Sequence, residues 1–169
     1  EGSPKQVFTG EGSYQARAVI IATGSMGRTN RIPGEERLVG RGVSYCATCD
    51  AAFFRGQEVA VAGSNDEAVE EALTLARFAS RVHVLAPQSD LRASDELVEE
   101  LTAHDGVTVH PDTRIQEIQG EKKVEAVEVV AQGETERFPV SGVFVYLQGN
   151  VPVTDFLDTL RRRRNSRDD

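Results

Sequence analysis

Apolar residues follow two alternating rhythms along this chain: short β-branched runs, and longer stripes spaced three and four residues apart. Glu58-Val59-Ala60-Val61-Ala62 and Arg81-Val82-His83-Val84-Leu85 are near-continuous runs, the pattern of strands buried on both faces. Between them Val69, Ala72, Leu73 and Ala76 fall at i, i+3, i+4 and i+7, which predicts a helix over 68–79. Residues 58–85 therefore read as one βαβ unit with a parallel strand pair. A second amphipathic helix is expected over 94–103, with Leu97, Val98 and Leu101 inward, and a strand over 107–110 after it.

From there the period changes. Segments 115–118, 124–130 and 136–140 are split by Gly120 and Gly133, the signature of an antiparallel meander. Residues 142–147 read as a last buried strand, leading by Gly149-Asn150 to a short segment at 154–160. Ahead of the βαβ unit, residues 1–15 are polar, with Val7-Phe8 and Tyr14 pointing to a short hairpin. Residues 17–22 form another β-branched run, expected to be a two-sided buried strand ending at Thr23-Gly24-Ser25. Residues 26–42 carry Gly27, Pro33, Gly34, Gly40 and Gly42 among charges, and read as loop and domain boundary. The predicted fold class is α/β: a Rossmann-like NAD(P)-binding domain, with a central parallel sheet and a three-stranded antiparallel β-meander.

Composition narrows the partners. The chain has 169 residues, enough for one domain or one domain plus part of another, and a net charge of −8. That charge argues against nucleic acid or an anionic membrane surface as the main partner. No apolar run approaches the roughly 20 residues of a membrane span, and no signal peptide is visible. The basic run Arg161 to Arg164 reads as a solvated tail. A cytoplasmic location is expected, because a sole CxxC pair suits a reducing compartment.

That pair, Cys46-Ala47-Thr48-Cys49, is followed directly by Asp50. If the segment starts a helix, amide N–H groups and the macrodipole favour a thiolate at the first sulfur. A thiolate attacks disulfides, a second thiol this close resolves the mixed disulfide, and Asp50 is placed to carry the proton. Two other readings of the spacing stay open. A zinc site would need two more ligands, and His83, His104 and His110 fall in no ligand-like pattern. A purely structural disulfide would close a loop too small to remove much chain entropy.

A dinucleotide fingerprint requires G-x-G-x-x-G/A after the first strand. Here the turn reads Gly63-Ser64-Asn65-Asp66-Glu67-Ala68, with Asn65 in place of the second glycine. A Cβ there obstructs the approach of a pyrophosphate, and Asp66 and Glu67 repel an anion from the first helical turn. After the second strand Ala86-Pro87-Gln88-Ser89 offers no carboxylate for a ribose and no arginine pair for a 2′-phosphate; Arg92 is the only cation nearby. Weak or absent NADPH binding is expected.

Ala22-Thr23-Gly24, Ile32-Pro33-Gly34-Glu35, Gly42-Val43-Ser44-Tyr45-Cys46-Ala47-Thr48-Cys49-Asp50 and Ala68-Val69-Glu70-Glu71-Ala72 together resemble the low-molecular-weight thioredoxin reductases. The resemblance runs over residues 16–147. It implies a flavoprotein homodimer in which FAD reduces the CxxC pair and the pair reduces a thioredoxin-like protein. It implies Cys49 as the thiol facing the flavin, Cys46 as the attacking thiol and Asp50 as the acid–base. Thr23 and Gly24 would form the flavin-side turn, while Gly63, Ser64, Asn65 and Arg92 occupy the nucleotide-side positions. The altered turn and the absent basic stretch make the chain similar to ferredoxin- or flavin-linked relatives, with ferredoxin or another flavoprotein subunit as donor. The expected division is a partial FAD-domain segment and linker over 1–42, a redox domain over 43–147, and a return linker with basic tail over 148–169. Two alternatives stand: an NADPH-dependent thioredoxin reductase with a divergent turn, and a non-catalytic interaction module that keeps the fold.

Overall fold

The computed structural model describes residues 4–20, 25–26, 31–147 and 151–152. The chain forms two units, Glu1–Gly27 with Val151–Asp169, and Arg28–Asn150. Elements are numbered in chain order.

In the first unit β1 (Lys5–Thr9) and β2 (Gly12–Ala16) make the expected hairpin, with Val7 opposite Tyr14. The two-residue strand β3 (Ser25–Met26) pairs antiparallel with Val151–Pro152. The buried strand expected over 17–22 is not formed by its described part. Arg17 to Ile20 lie outside any strand, and Ile20 is 93% exposed. A run apolar on both sides becomes a strand only where ladder partners and two covering layers exist, and no described strand pairs with it. Ile21, Ala22 and the turn at Thr23-Gly24 lie outside the described residues, as do Gly27, Gly149-Asn150, the segment at 154–160 and the basic tail.

The second unit opens with a helix where the sequence suggests loop. In α1 (Glu35–Leu38) the Glu35 side chain is 1% exposed and serves its own entry: Oε2 accepts from the Ile32 amide at 2.8 Å, and Oε1 accepts from the Tyr45 hydroxyl at 2.8 Å. Gly34, at φ +84°, lies so close to the Ile118 carbonyl that any Cβ would strike it. Only glycine fits that contact and that dihedral.

The parallel sheet has the order β4-β11-β5-β6-β7, built from Val43–Ser44, Gly142–Val145, Glu58–Ala62, Arg81–Leu85 and Val107–His110. Both faces are covered, which is why its strands read as unbroken apolar runs. Val59, Val61, Val82, Val84 and Phe144 face α3 (Asp66–Ala76) and α4 (Asp95–Thr102), among Val69, Leu75 and Leu101. Ala60, Ala62, Val143 and Val145 point the other way, onto Ile118, Val127 and Val129 of the antiparallel sheet β10-β9-β8 (Glu134–Pro139, Ala126–Ala131, Thr113–Gln119). The α/β fold with its three-stranded meander is thus the one the apolar rhythm implies. The helix predicted over 68–79 starts earlier, at Asp66, because Asn65 caps it.

Candidate functional site

The CxxC segment lies at the carboxyl end of β4, where Cys46 is the N-cap of the four-residue helix α2 (Ala47–Asp50). Cys46 and Cys49 are joined as a disulfide, with Cα atoms 5.3 Å apart. Cys49 is exposed and Cys46 half-buried. A turn of 3₁₀ helix, Ala51–Phe54, continues α2 and anchors it: the Phe54 ring meets Phe144 edge-on, with centroids 5.3 Å apart. Gly142 leaves the room that this ring fills.

Each amide at the start of α2 already has an acceptor. The Ala47 amide donates to Tyr146 Oη at 2.9 Å, the Thr48 amide to Glu71 Oε2 at 3.1 Å, and the Cys49 amide to Cys46 Sγ at 3.2 Å. The sequence suggests several amides aimed at the first sulfur; one reaches it. Tyr146 is 4% exposed, and burial raises its phenol above its ordinary pKa although the Ala47 N–H works the other way. The phenol therefore stays protonated and acts as a fixed, neutral acceptor.

Asp50 is held by Ser44. The Ser44 hydroxyl donates to Asp50 Oδ2 at 2.6 Å, and its oxygen accepts from the Cys46 amide at 3.1 Å. Carboxylate and disulfide thus hang on one buried hydroxyl. Asp50 also borders a cleft of about 330 Å³, together with Arg41, Phe53, Gln57 and Lys123. Ser44 and Glu71 stand in the sequence only inside longer motifs, and Tyr146 only inside the strand expected over 142–147. One signal was available for Glu71: it lies one helical turn from Ala68 and from Leu75, so it borders the buried stripe.

The nucleotide turn brings Gly63, Ser64, Asn65 and Arg92 together, closed upon itself. At Gly63, φ +154°, a Cβ would come within 2.8 Å of the Ala68 Cβ and 3.0 Å of the Tyr146 carbonyl oxygen, so the first glycine keeps its packing reason. Asn65 Oδ1 accepts from the Ala68 amide at 3.2 Å, taking a donor that a phosphate would use. Ser64 donates its hydroxyl to Gln88 at 2.7 Å, and its carbonyl accepts from the Arg92 amide at 2.6 Å. Asp66 accepts from the Ser94 amide at 2.9 Å. The turn does not fit a dinucleotide pyrophosphate: its amide is occupied, a side chain stands where backbone must approach, and two carboxylates flank it. Thr23 and Gly24, the flavin-side turn expected from sequence, lie outside the described residues.

No group of His, Cys, Asp and Glu among the described residues is arranged to hold a metal ion. His83, given no role from sequence, packs against His110 and Phe138, with Nδ1 3.1 Å from His110 Nε2 and Nε2 3.0 Å from Glu58. No helix among the described residues is long and apolar enough to cross a membrane.

The pyridine nucleotide-disulphide oxidoreductase profile matches residues 2–168. The chain is 41% identical over 157 residues to the thioredoxin reductase of Aquifex aeolicus, covering 91% of this chain and 49% of that protein. It is similar to the solved structure of a thioredoxin reductase from Gloeobacter violaceus, with TM-score 0.71, 49% identity, and 92% and 48% of the two chains covered. It is also similar to a ferredoxin-flavin thioredoxin reductase from Clostridium acetobutylicum, with TM-score 0.60, 33% identity, and 90% and 48% covered. The chain spans about half the length of the curated relatives it matches.

Proposed function

Because this chain belongs to the pyridine nucleotide-disulphide oxidoreductase family, we propose that it carries the dithiol–disulfide relay of a thioredoxin-reductase-like flavoenzyme that does not draw on NADPH. The observation carrying this reading is the Cys46–Cys49 bridge at the head of α2, with Asp50 tied to the same serine that holds the Cys46 amide.

Bound FAD would supply the electron pair. Two electrons and two protons convert the bridge into the Cys46 and Cys49 thiols. Once deprotonated, Cys46 attacks one sulfur of a thioredoxin-type disulfide, forming a mixed disulfide and expelling the other sulfur as thiolate. Cys49 then attacks Cys46, the bridge re-forms, and the partner leaves as a dithiol. Asp50, held by Ser44, takes the proton that Cys49 gives up and delivers it to the departing sulfur. Cys49 is the more exposed residue of the pair, which suits it to meet the flavin.

Independence from NADPH is supported by the closed turn at Gly63, Ser64, Asn65 and Arg92, and by the likeness to a ferredoxin-flavin thioredoxin reductase. Ferredoxin or another flavoprotein subunit is then the donor, a thioredoxin-like protein the acceptor, and the full-length enzyme a homodimer. Residues 43–147 are the redox domain, 1–42 a partial FAD-domain segment and linker with Thr23-Gly24 on the flavin side, and 148–169 the return linker. The test offers the full-length enzyme NADPH or reduced ferredoxin in turn and counts free thiols at Cys46 and Cys49. Reduction by ferredoxin alone is expected. Reduction by NADPH at micromolar concentration would establish the nicotinamide-dependent alternative, and thiols that never exchange with thioredoxin would establish the inert module.

A further inference from the structure

The amides at a helix start favour a thiolate only to the extent that they are not already committed. In α2 the Thr48 amide is committed to a carboxylate: Glu71 Oε2, from the neighbouring helix α3, accepts it at 3.1 Å. A glutamate there does two things that a neutral acceptor would not. It cancels part of the positive end of α2, and it places a negative charge on an amide two residues from Cys46.

We propose that Glu71 is a positioning residue that restrains ionisation of the reduced Cys46 and thereby keeps the Cys46–Cys49 pair strongly reducing. A charge that disfavours the thiolate destabilises the dithiol state more than the disulfide state, and so drives electrons outward. For a pair that must deliver electrons to another disulfide, that bias has the useful sign. Among cations in the described structure, Arg41 and Lys123 line the cleft on the Asp50 side. Asp50 adds a second carboxylate on α2 itself, and the neutral phenol of Tyr146 holds the Ala47 amide. Glu70, the next residue of α3, is exposed and takes no part in this contact.

This inference rests on the reading of the pair as redox-active. The experiment compares wild type, Glu71→Gln, Glu71→Ala and Glu70→Gln in the full-length protein. Two quantities are read: the pH midpoint of Cys46 alkylation by iodoacetamide after reduction, and the dithiol–disulfide equilibrium against a glutathione buffer at about pH 8. Glutamine keeps an oxygen for the Thr48 amide and removes the charge. Expected is a lower midpoint in Glu71→Gln, with the equilibrium shifted toward dithiol by roughly two- to fivefold, the span usual for a charge at a helix terminus. Glu70→Gln stays at the wild-type values. If Glu71→Gln matches wild type while Glu71→Ala departs, the residue is only a cap and the proposal falls, with the redox reading intact. If the wild-type pair cannot be cycled between dithiol and disulfide at all, both fall together.

Discussion

Ser44 donates its hydroxyl to Asp50 at 2.6 Å while the same oxygen takes the Cys46 amide at 3.1 Å, so the Asp50 carboxylate and the Cys46 backbone are registered to one another through a single atom. Removing that atom frees the carboxylate to rotate away. Ser44→Ala is expected to lower kcat about tenfold, the worth of one hydrogen bond to a charged group, with KM for the disulfide substrate unchanged. Ser44→Thr keeps the hydroxyl and restores most of kcat. A rise in KM at constant kcat would place Ser44 in partner binding instead.

Asp50→Asn keeps the shape and removes the proton carrier. Steady-state turnover in the full-length enzyme is expected to fall by roughly 10²- to 10⁴-fold, the range for loss of a general acid–base. Cys49→Ser should abolish turnover altogether, because the mixed disulfide can no longer be resolved. A Cys49→Ser enzyme that turns over would remove the relay from consideration.

Tyr146→Phe tests whether the α2 start depends on a remote partner. It leaves the ring in place and strips the acceptor from the buried Ala47 amide. Thermal or urea unfolding is expected to show a loss of about 1–3 kcal/mol, the cost of one buried unsatisfied donor. A loss below a few tenths would mean that water replaces the phenol.

Asn65→Ala removes the cap of α3. About 1 kcal/mol of stability should go with it, read as a lower urea midpoint at unchanged slope. Asn65→Gly, by contrast, should cost only a few tenths. Neither is expected to confer NADPH binding by calorimetry, because Gln88 still holds Ser64 and Asp66 and Glu67 still flank the turn.

His110 gives a pH dependence with a definite sign. Burial first, and then the neighbouring His83, hold its pKa below the usual 6.5, with Glu136 opposing. The unfolded chain therefore binds this proton before the folded one does as pH falls. Stability is complete above about pH 6.5 and is lost progressively below it, down to the folded-state value. Differential scanning calorimetry between about pH 7 and pH 5.5 should show Tm dropping, and His110→Gln should flatten that slope. A Tm that rises on acidification would reverse the assignment.

Two contrasts separate what can be read in a line of residues from what cannot. Val59, Val61, Val82 and Val84 announce buried parallel strands because a strand covered on both faces has no polar positions to show, and the meander is legible instead from the glycines, Gly120 and Gly133, that split its segments. The run at 17–20 has similar composition but stays outside any strand, because strand formation needs a partner that composition does not encode. The helix at Glu35–Leu38 was hidden in a glycine-rich stretch, because what holds it is a buried carboxylate bonded to Ile32 and Tyr45 together with a close approach to Ile118.

The order of the residues alone determined the chemistry on offer: two cysteines two apart with an aspartate beside them, and an asparagine where a phosphate-binding turn wants glycine. Covalent spacing and side-chain type settle those matters wherever the chain goes. Only the tertiary structure decided what those groups lean on, since Thr48 meets Glu71 across 23 positions and Ala47 meets Tyr146 across 99. Hydrogen bonds act over about three ångströms of space regardless of separation along the chain, so the partners that hold the start of α2 exist only once the fold has brought them together.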